Sequence, residues 1–174
     1  VTVNELFSLD DYIRGVVPRE MPASWHPEAV KAQAVAARTY GLRSLRPSHY
    51  FDICDTTSCQ VYGGASAEQA GSNRAIDATS NQVLLYRGAP AFTQFSSSSG
   101  GFTNQTANIA AHPYLRAVND PWDGMANNPN HTWTQEVPAS RIQSAYPQIG
   151  TLEKVRITRR SGNGAMGGRA WDIH

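Results

Sequence analysis

The stretch from Glu28 to Leu45 restricts the fold more than any other part of the chain. Small or apolar residues recur there at Ala29, Ala32, Val35, Ala36 and Tyr40, behind Pro22 and Pro27, and alanine has the highest intrinsic helix propensity. A long helix is expected. Its apolar stripe is built largely of alanine, so a neighbouring element can approach its axis closely. Lys31 and Arg38 are two turns apart and project from one side.

Other elements arrange themselves around that helix. Ser8-Leu9-Asp10-Asp11 reads as an N-cap with an acid three positions on, and Tyr12, Ile13, Val16 and Val17 follow at helical spacing. This first helix is expected to end near Pro18. Residues 47–65 show no sustained period and lead through Gln60-Val61-Tyr62-Gly63-Gly64 into a short strand. Ser66-Ala67-Glu68-Gln69 has the form of a capping box opening a helix that runs to Thr79. Val83–Tyr86 and Ala91–Phe95, separated by Arg87-Gly88-Ala89-Pro90, predict a hairpin. Residues 119–138, dense in Asn, Asp, Pro and Trp, predict a long surface loop in which Trp122 and Trp133 stack on a ligand or anchor the chain. Residues 155–159 and 170–173 alternate and predict a second hairpin. The class is α+β: one domain with a helical N-terminal part packed on antiparallel hairpins, and long loops around a substrate cleft.

Composition narrows the function. With 174 residues the prior is a single domain. Hydrophobic residues at 40% exclude a disordered tail, and the longest apolar run, Val83–Tyr86, is far short of a membrane span. Fifteen Lys and Arg against fourteen Asp and Glu leave a net charge of +1, which argues against nucleic acid or an anionic membrane as partner. Charged residues make up 17%, against about 25% in an average domain, and uncharged polar residues take their place, as is common in exported proteins.

Glu20 is the only acid in Gly15-Val16-Val17-Pro18-Arg19-Glu20-Met21-Pro22-Ala23-Ser24-Trp25. Held rigidly against Val16, Val17, Met21 and Trp25, such a carboxyl is desolvated, which favours the protonated form that a general acid needs. The plainer alternative is a carboxylate that pairs with Arg38 or caps the following helix. Cys54 and Cys59 are the two cysteines, and read alone they are a disulfide, two metal ligands or two unrelated thiols. His26, His112, His131 and His174 have no spacing that marks a metal site or a nucleophile's base.

Four blocks together resemble the SpoIID/LytB domain, named for stage II sporulation protein D and an amidase enhancer of bacterial cell-wall turnover. They are Leu9–Pro22, Glu28–Tyr40, Cys54–Tyr62 and Ser97-Ser98-Ser99-Gly100-Gly101-Phe102-Thr103, followed by Pro113-Tyr114-Leu115 and Asp120-Pro121-Trp122. The resemblance takes in 1–174 as one such domain, strongest over 9–123 and less specific in the hairpin region 150–174.

The resemblance implies a peptidoglycan lytic transglycosylase with Glu20 as catalytic acid/base, needing no cofactor. Lys31, Arg38, Ser97, Ser98 and Gly100 are then the substrate-binding residues, with Arg38 meeting substrate or a loop carbonyl rather than Glu20. Tyr62 is read as core. Some members of the family build zinc from two cysteines and two histidines of the cysteine loop. Here Ser58 stands where one histidine would be and His49 is left as a third ligand, so a Cys54–Cys59 disulfide is favoured and no metal is expected. The implied partners are peptidoglycan glycan strands and other cell-wall hydrolases, and the implied location is extracellular or bound to the bacterial cell wall. The rival function is a non-catalytic glycan-binding module that recruits or enhances an amidase. A third, a hydrolase using water, needs a second carboxylate such as Asp52, Asp55 or Asp123.

Overall fold

The computed structural model describes residues 6, 8–47, 49–105, 109–125, 128–164 and 168–174. The chain divides into two compact units, Val1–Phe95 and Ser96–His174. Among the described residues, helices and short antiparallel strand pairs make a mixed α+β fold, and no helix is long and apolar enough to cross a membrane.

In the first unit, helix α1 (Leu9–Glu20) is opened by Ser8, whose hydroxyl accepts from the Asp11 N–H at 3.1 Å. It ends at Glu20, close to the expected limit at Pro18, whose missing N–H leaves one bond of the last turn unmade. The Met21 N–H closes the helix on the Val17 carbonyl at 2.9 Å. Helix α2 (Pro27–Ser44) lies within a residue of its expected bounds. Helix α3 (Ala70–Ala78) starts later than the Ser66 pattern predicts, since Ala65–Ala67 form a separate 3₁₀ turn and the Ser66 hydroxyl donates back to the Gly63 carbonyl.

These helices share one core: Tyr12, Ile13, Val16 and Val17 from α1, Val30, Ala34 and Ala37 from α2, and Ala75 and Ile76 from α3. The stretch Gln60–Gly64 forms no strand; it is strapped to α1 by the Gly63 N–H bonding the Gly15 carbonyl at 3.0 Å. The hairpin is tighter than expected. Arg87 and Gly88 take positive φ of 52° and 79°, the two-residue turn that matches strand twist, so β1 (Leu85–Tyr86) pairs directly with β2 (Ala89–Pro90).

The second unit contains helix α4 (Ala139–Ala145), which the sequence pattern did not reveal, and the expected C-terminal hairpin of β3 (Ile157–Arg160) and β4 (Ala170–Ile173). None of its described residues is fully buried. Hydrogen bonds hold it instead, among them the reciprocal pair between Arg156 and His174 at 2.7 Å.

Candidate functional site

Glu20 is the last residue of α1 and is exposed. Its carboxylate has no hydrogen bond or ion pair to any described residue, so the sequence expectation of a carboxyl desolvated by its neighbours is corrected, and so is the alternative of a pair with Arg38. The reason is local: Val16 and Val17 turn into the core, and the helix end leaves Glu20 on the outside.

Tyr12, on the same helix as Glu20, belongs to a tyrosine pair. Tyr12 is 6% exposed and stacks on Tyr62 with ring centroids 5.7 Å apart, and its hydroxyl donates to Gln60 Oε1 at 3.5 Å. Burial, then the charges of Tyr40, Glu20, Asp55 and Tyr62, push the Tyr12 phenol well above its ordinary range, so it stays neutral. The fields of Glu20 and Asp55 therefore reach one phenol. Tyr62 packs against the core, and its N–H holds the Asp55 carbonyl at 3.2 Å. The loop carrying Asp55 is closed by the Cys54–Cys59 disulfide, with Cα atoms 5.7 Å apart. Asp52 and Asp55 are exposed. Among the described residues, no group of three or more His, Cys, Asp or Glu is placed to hold a metal ion.

Lys31 is partly exposed and its ammonium donates to Glu28 Oε1 at 2.8 Å. Arg38 is different. It is 2% exposed, its Nε donates to Asp10 Oδ1 at 2.7 Å, and its Nη atoms donate to the carbonyls of Ile76 at 3.1 Å and Gln82 at 3.2 Å. The guanidinium does meet chain carbonyls and avoids Glu20. Burial, however, corrects the view that it faces a ligand beside Lys31: the start of α1 and the end of α3 cover that part of the stripe. Arg38 ties those elements together.

In the second unit, Asp123 organises the serine loop. Its carboxylate, 4% exposed, accepts from Ser98 Oγ at 2.9 Å, the Ser99 N–H at 2.6 Å, the Gly100 N–H at 3.1 Å and His131 Nδ1 at 2.5 Å. His131 chiefly, against burial and with help from the Ser98 and Ser99 bonds, holds this carboxyl well below the usual carboxylate range. Arg169 adds a bond to the Ser99 carbonyl at 2.9 Å. Gly100 sits at φ 66°, open to glycine at no steric cost. The Ser98 hydroxyl and the Gly100 amide are thus spent inside the loop, and Asp123 is too fully engaged to serve as a water-activating base. Ser97 is exposed and makes no hydrogen bond to a described residue. Asp123 as anchor was missed in the sequence, where its only signal is that it directly follows Asp120-Pro121-Trp122.

Residues 1–86 match the protein family described as Stage II sporulation protein, SpoIID. The chain belongs to this family. Its SpoIID relatives include the stage II sporulation protein D of Bacillus amyloliquefaciens, 35% identical over 176 residues that cover 90% of this chain and 51% of the relative. The amidase enhancer of Bacillus subtilis is 42% identical over 134 residues, 76% of this chain and 18% of that protein. An uncharacterized protein of Brachyspira hyodysenteriae is 40% identical over 123 residues, 68% of this chain and 33% of that protein. This SpoIID chain therefore spans about half the length, or less, of these curated relatives.

Proposed function

We propose that this SpoIID chain acts in the cell wall and cleaves peptidoglycan glycan strands by lytic transglycosylation, with Glu20 as the single acid/base. The observation that carries the reading is that the Glu20 carboxyl is exposed at a helix end and free of any ion pair to described residues. A carboxyl locked to a cation would be held ionised and could not give up a proton. Bound glycan displaces water from it, which favours the proton-donating form.

The chemistry then runs in two proton movements. Glu20 protonates the oxygen that joins C1 of N-acetylmuramic acid to the next sugar, and the C1–O bond breaks. The resulting carboxylate accepts the proton of the same muramic residue's C6 hydroxyl as that oxygen bonds to C1. No water is consumed, so the second carboxylate of a hydrolase has no role. In the first unit, Lys31 is the partly exposed member of the expected binding residues.

Glu20→Gln keeps the shape and loses the transferable proton. Release of soluble glycan fragments from purified peptidoglycan should fall by about 10²- to 10⁴-fold, with sedimentation of the protein on intact peptidoglycan unchanged. Equal release by both proteins would refute the assignment. The similarity to the amidase enhancer supports a second reading, a glycan-binding module that stimulates an amidase. In that case neither protein releases fragments alone, and both stimulate a purified cell-wall amidase equally.

A further inference from the structure

A cavity of about 310 Å³ opens in the first unit where the α1–α2 connection, the first turns of α2 and the middle of α3 meet. Glu20 is not part of its lining. Ser24 and Trp25 form one wall, Val30 and Lys31 a second, and Gly71 and Arg74 a third. A glycine is required at 71, because a Cβ there would collide with the Ala23 carbonyl oxygen. That close approach brings α3, and with it Arg74, to the connection.

The lining has a specific chemistry. It contains two cations and no acid. Arg74 is exposed and its guanidinium makes no hydrogen bond or ion pair to a described residue, while the Lys31 ammonium shares only the exposed Glu28. Trp25 is 55% exposed, an indole left at the rim rather than in the core. An aromatic face takes the C–H face of a sugar ring, and cations within reach of the ring's substituents select those that carry negative charge. The volume is that of a small-ligand site rather than of a long oligosaccharide groove.

We infer that this cavity is a subsite for a pyranose ring carrying an acidic substituent, with Trp25 against the ring and Arg74 and Lys31 on the acid. The inference rests on the glycan-cleaving reading above and adds Trp25 and Arg74 to the substrate-binding residues. The acid is a carboxylate, as on muramic acid, or a phosphate ester on a wall sugar, and the cavity chemistry serves both.

The test titrates the isotope-labelled protein with N-acetylmuramic acid, N-acetylglucosamine 6-phosphate and neutral N-acetylglucosamine, following the indole N–H resonance of Trp25, assigned with Trp25→Phe. Both or either of the acidic sugars should shift that resonance and bind at least about fivefold more tightly than the neutral one, the size of one exposed charge contact. The stronger of the two identifies the source of the acid. Arg74→Ala should erase the preference, Arg74→Lys should restore part of it, and Glu20→Gln should leave it intact. Equal binding of all three sugars, a preference indifferent to Arg74→Ala, or shifts that bypass Trp25 would overturn the subsite. If acidic sugars bind at Trp25 but no strand is cut, the subsite stands and the catalytic reading alone falls. If strands are cut with no such preference, the reverse holds.

Discussion

A buried cation has to find its partners inside the protein, and Arg38 takes four: Asp10 on α1, the Ile76 carbonyl on α3, and the Thr79 hydroxyl and Gln82 carbonyl beyond it. Burial acts to raise the Asp10 carboxyl. Hydrogen bonds from Arg38 and Ser80, with the charges of Arg38 and Arg14, outweigh it and hold the group below its ordinary value. A carboxyl depressed in the folded state contributes stability that is full above the unfolded value, about pH 4, and is lost as pH falls through the folded one. Urea unfolding free energies should therefore be flat in this contribution near neutrality and decline below about pH 4, and Asp10→Asn should flatten that decline. An unchanged acid limb in the variant would count against the pair. The helical position of Arg38 was legible in the sequence, but its fate was not. Its partners lie 28 to 44 positions away, and spacing along one helix carries no information about which other elements cover it. Glu20 shows the same limit in the opposite sense: its apolar neighbours in sequence point away from it in space.

At the level of elements, α1 and the Gln60–Gly64 strap depend on one small residue. A Cβ at Gly15 would collide with the Tyr62 ring, and Gly15 also supplies the carbonyl that receives the Gly63 N–H. Gly15→Ala should push Tyr62 off Tyr12 and destabilise the fold by about 1–3 kcal/mol, as overpacking does, with the loss read in urea melts. A variant as stable as the parent would show that the strap has room to move. Helices α1 and α2 could be read directly, because a periodic pattern over many residues is a local signal. The start of α3 could not: the Ser66 pattern satisfies the capping rule, yet Gly64 at φ 71° turns the chain first and spends the Ser66 hydroxyl on Gly63. The Cys54–Cys59 bridge was anticipated. Helix α4 was not, since no described residue in it is buried and no apolar stripe announces it.

Over the whole molecule, the proposed activity and its hydrolytic rival differ in a quantity that can be weighed. With one essential carboxyl, the nucleophile is the one already attached to the reacting sugar, whose effective concentration reaches about 10⁵ M in well-oriented intramolecular cases. Products should carry 1,6-anhydro ends, lighter than hydrolysis products by one water and lacking a reducing terminus. Mass spectra with reducing ends only would make water the acceptor and direct attention to Asp55, whose charge reaches the same phenol as Glu20. The two units also differ in how they are held. Every buried apolar side chain among the described residues belongs to Val1–Phe95, whereas Ser96–His174 is tied by carboxylates, amides and paired strands. The heat capacity gained on unfolding scales with the apolar surface that meets water. In a calorimeter, the step between folded and unfolded baselines should come mainly from the first unit, while the second should absorb heat as its hydrogen bonds break with little baseline step of its own.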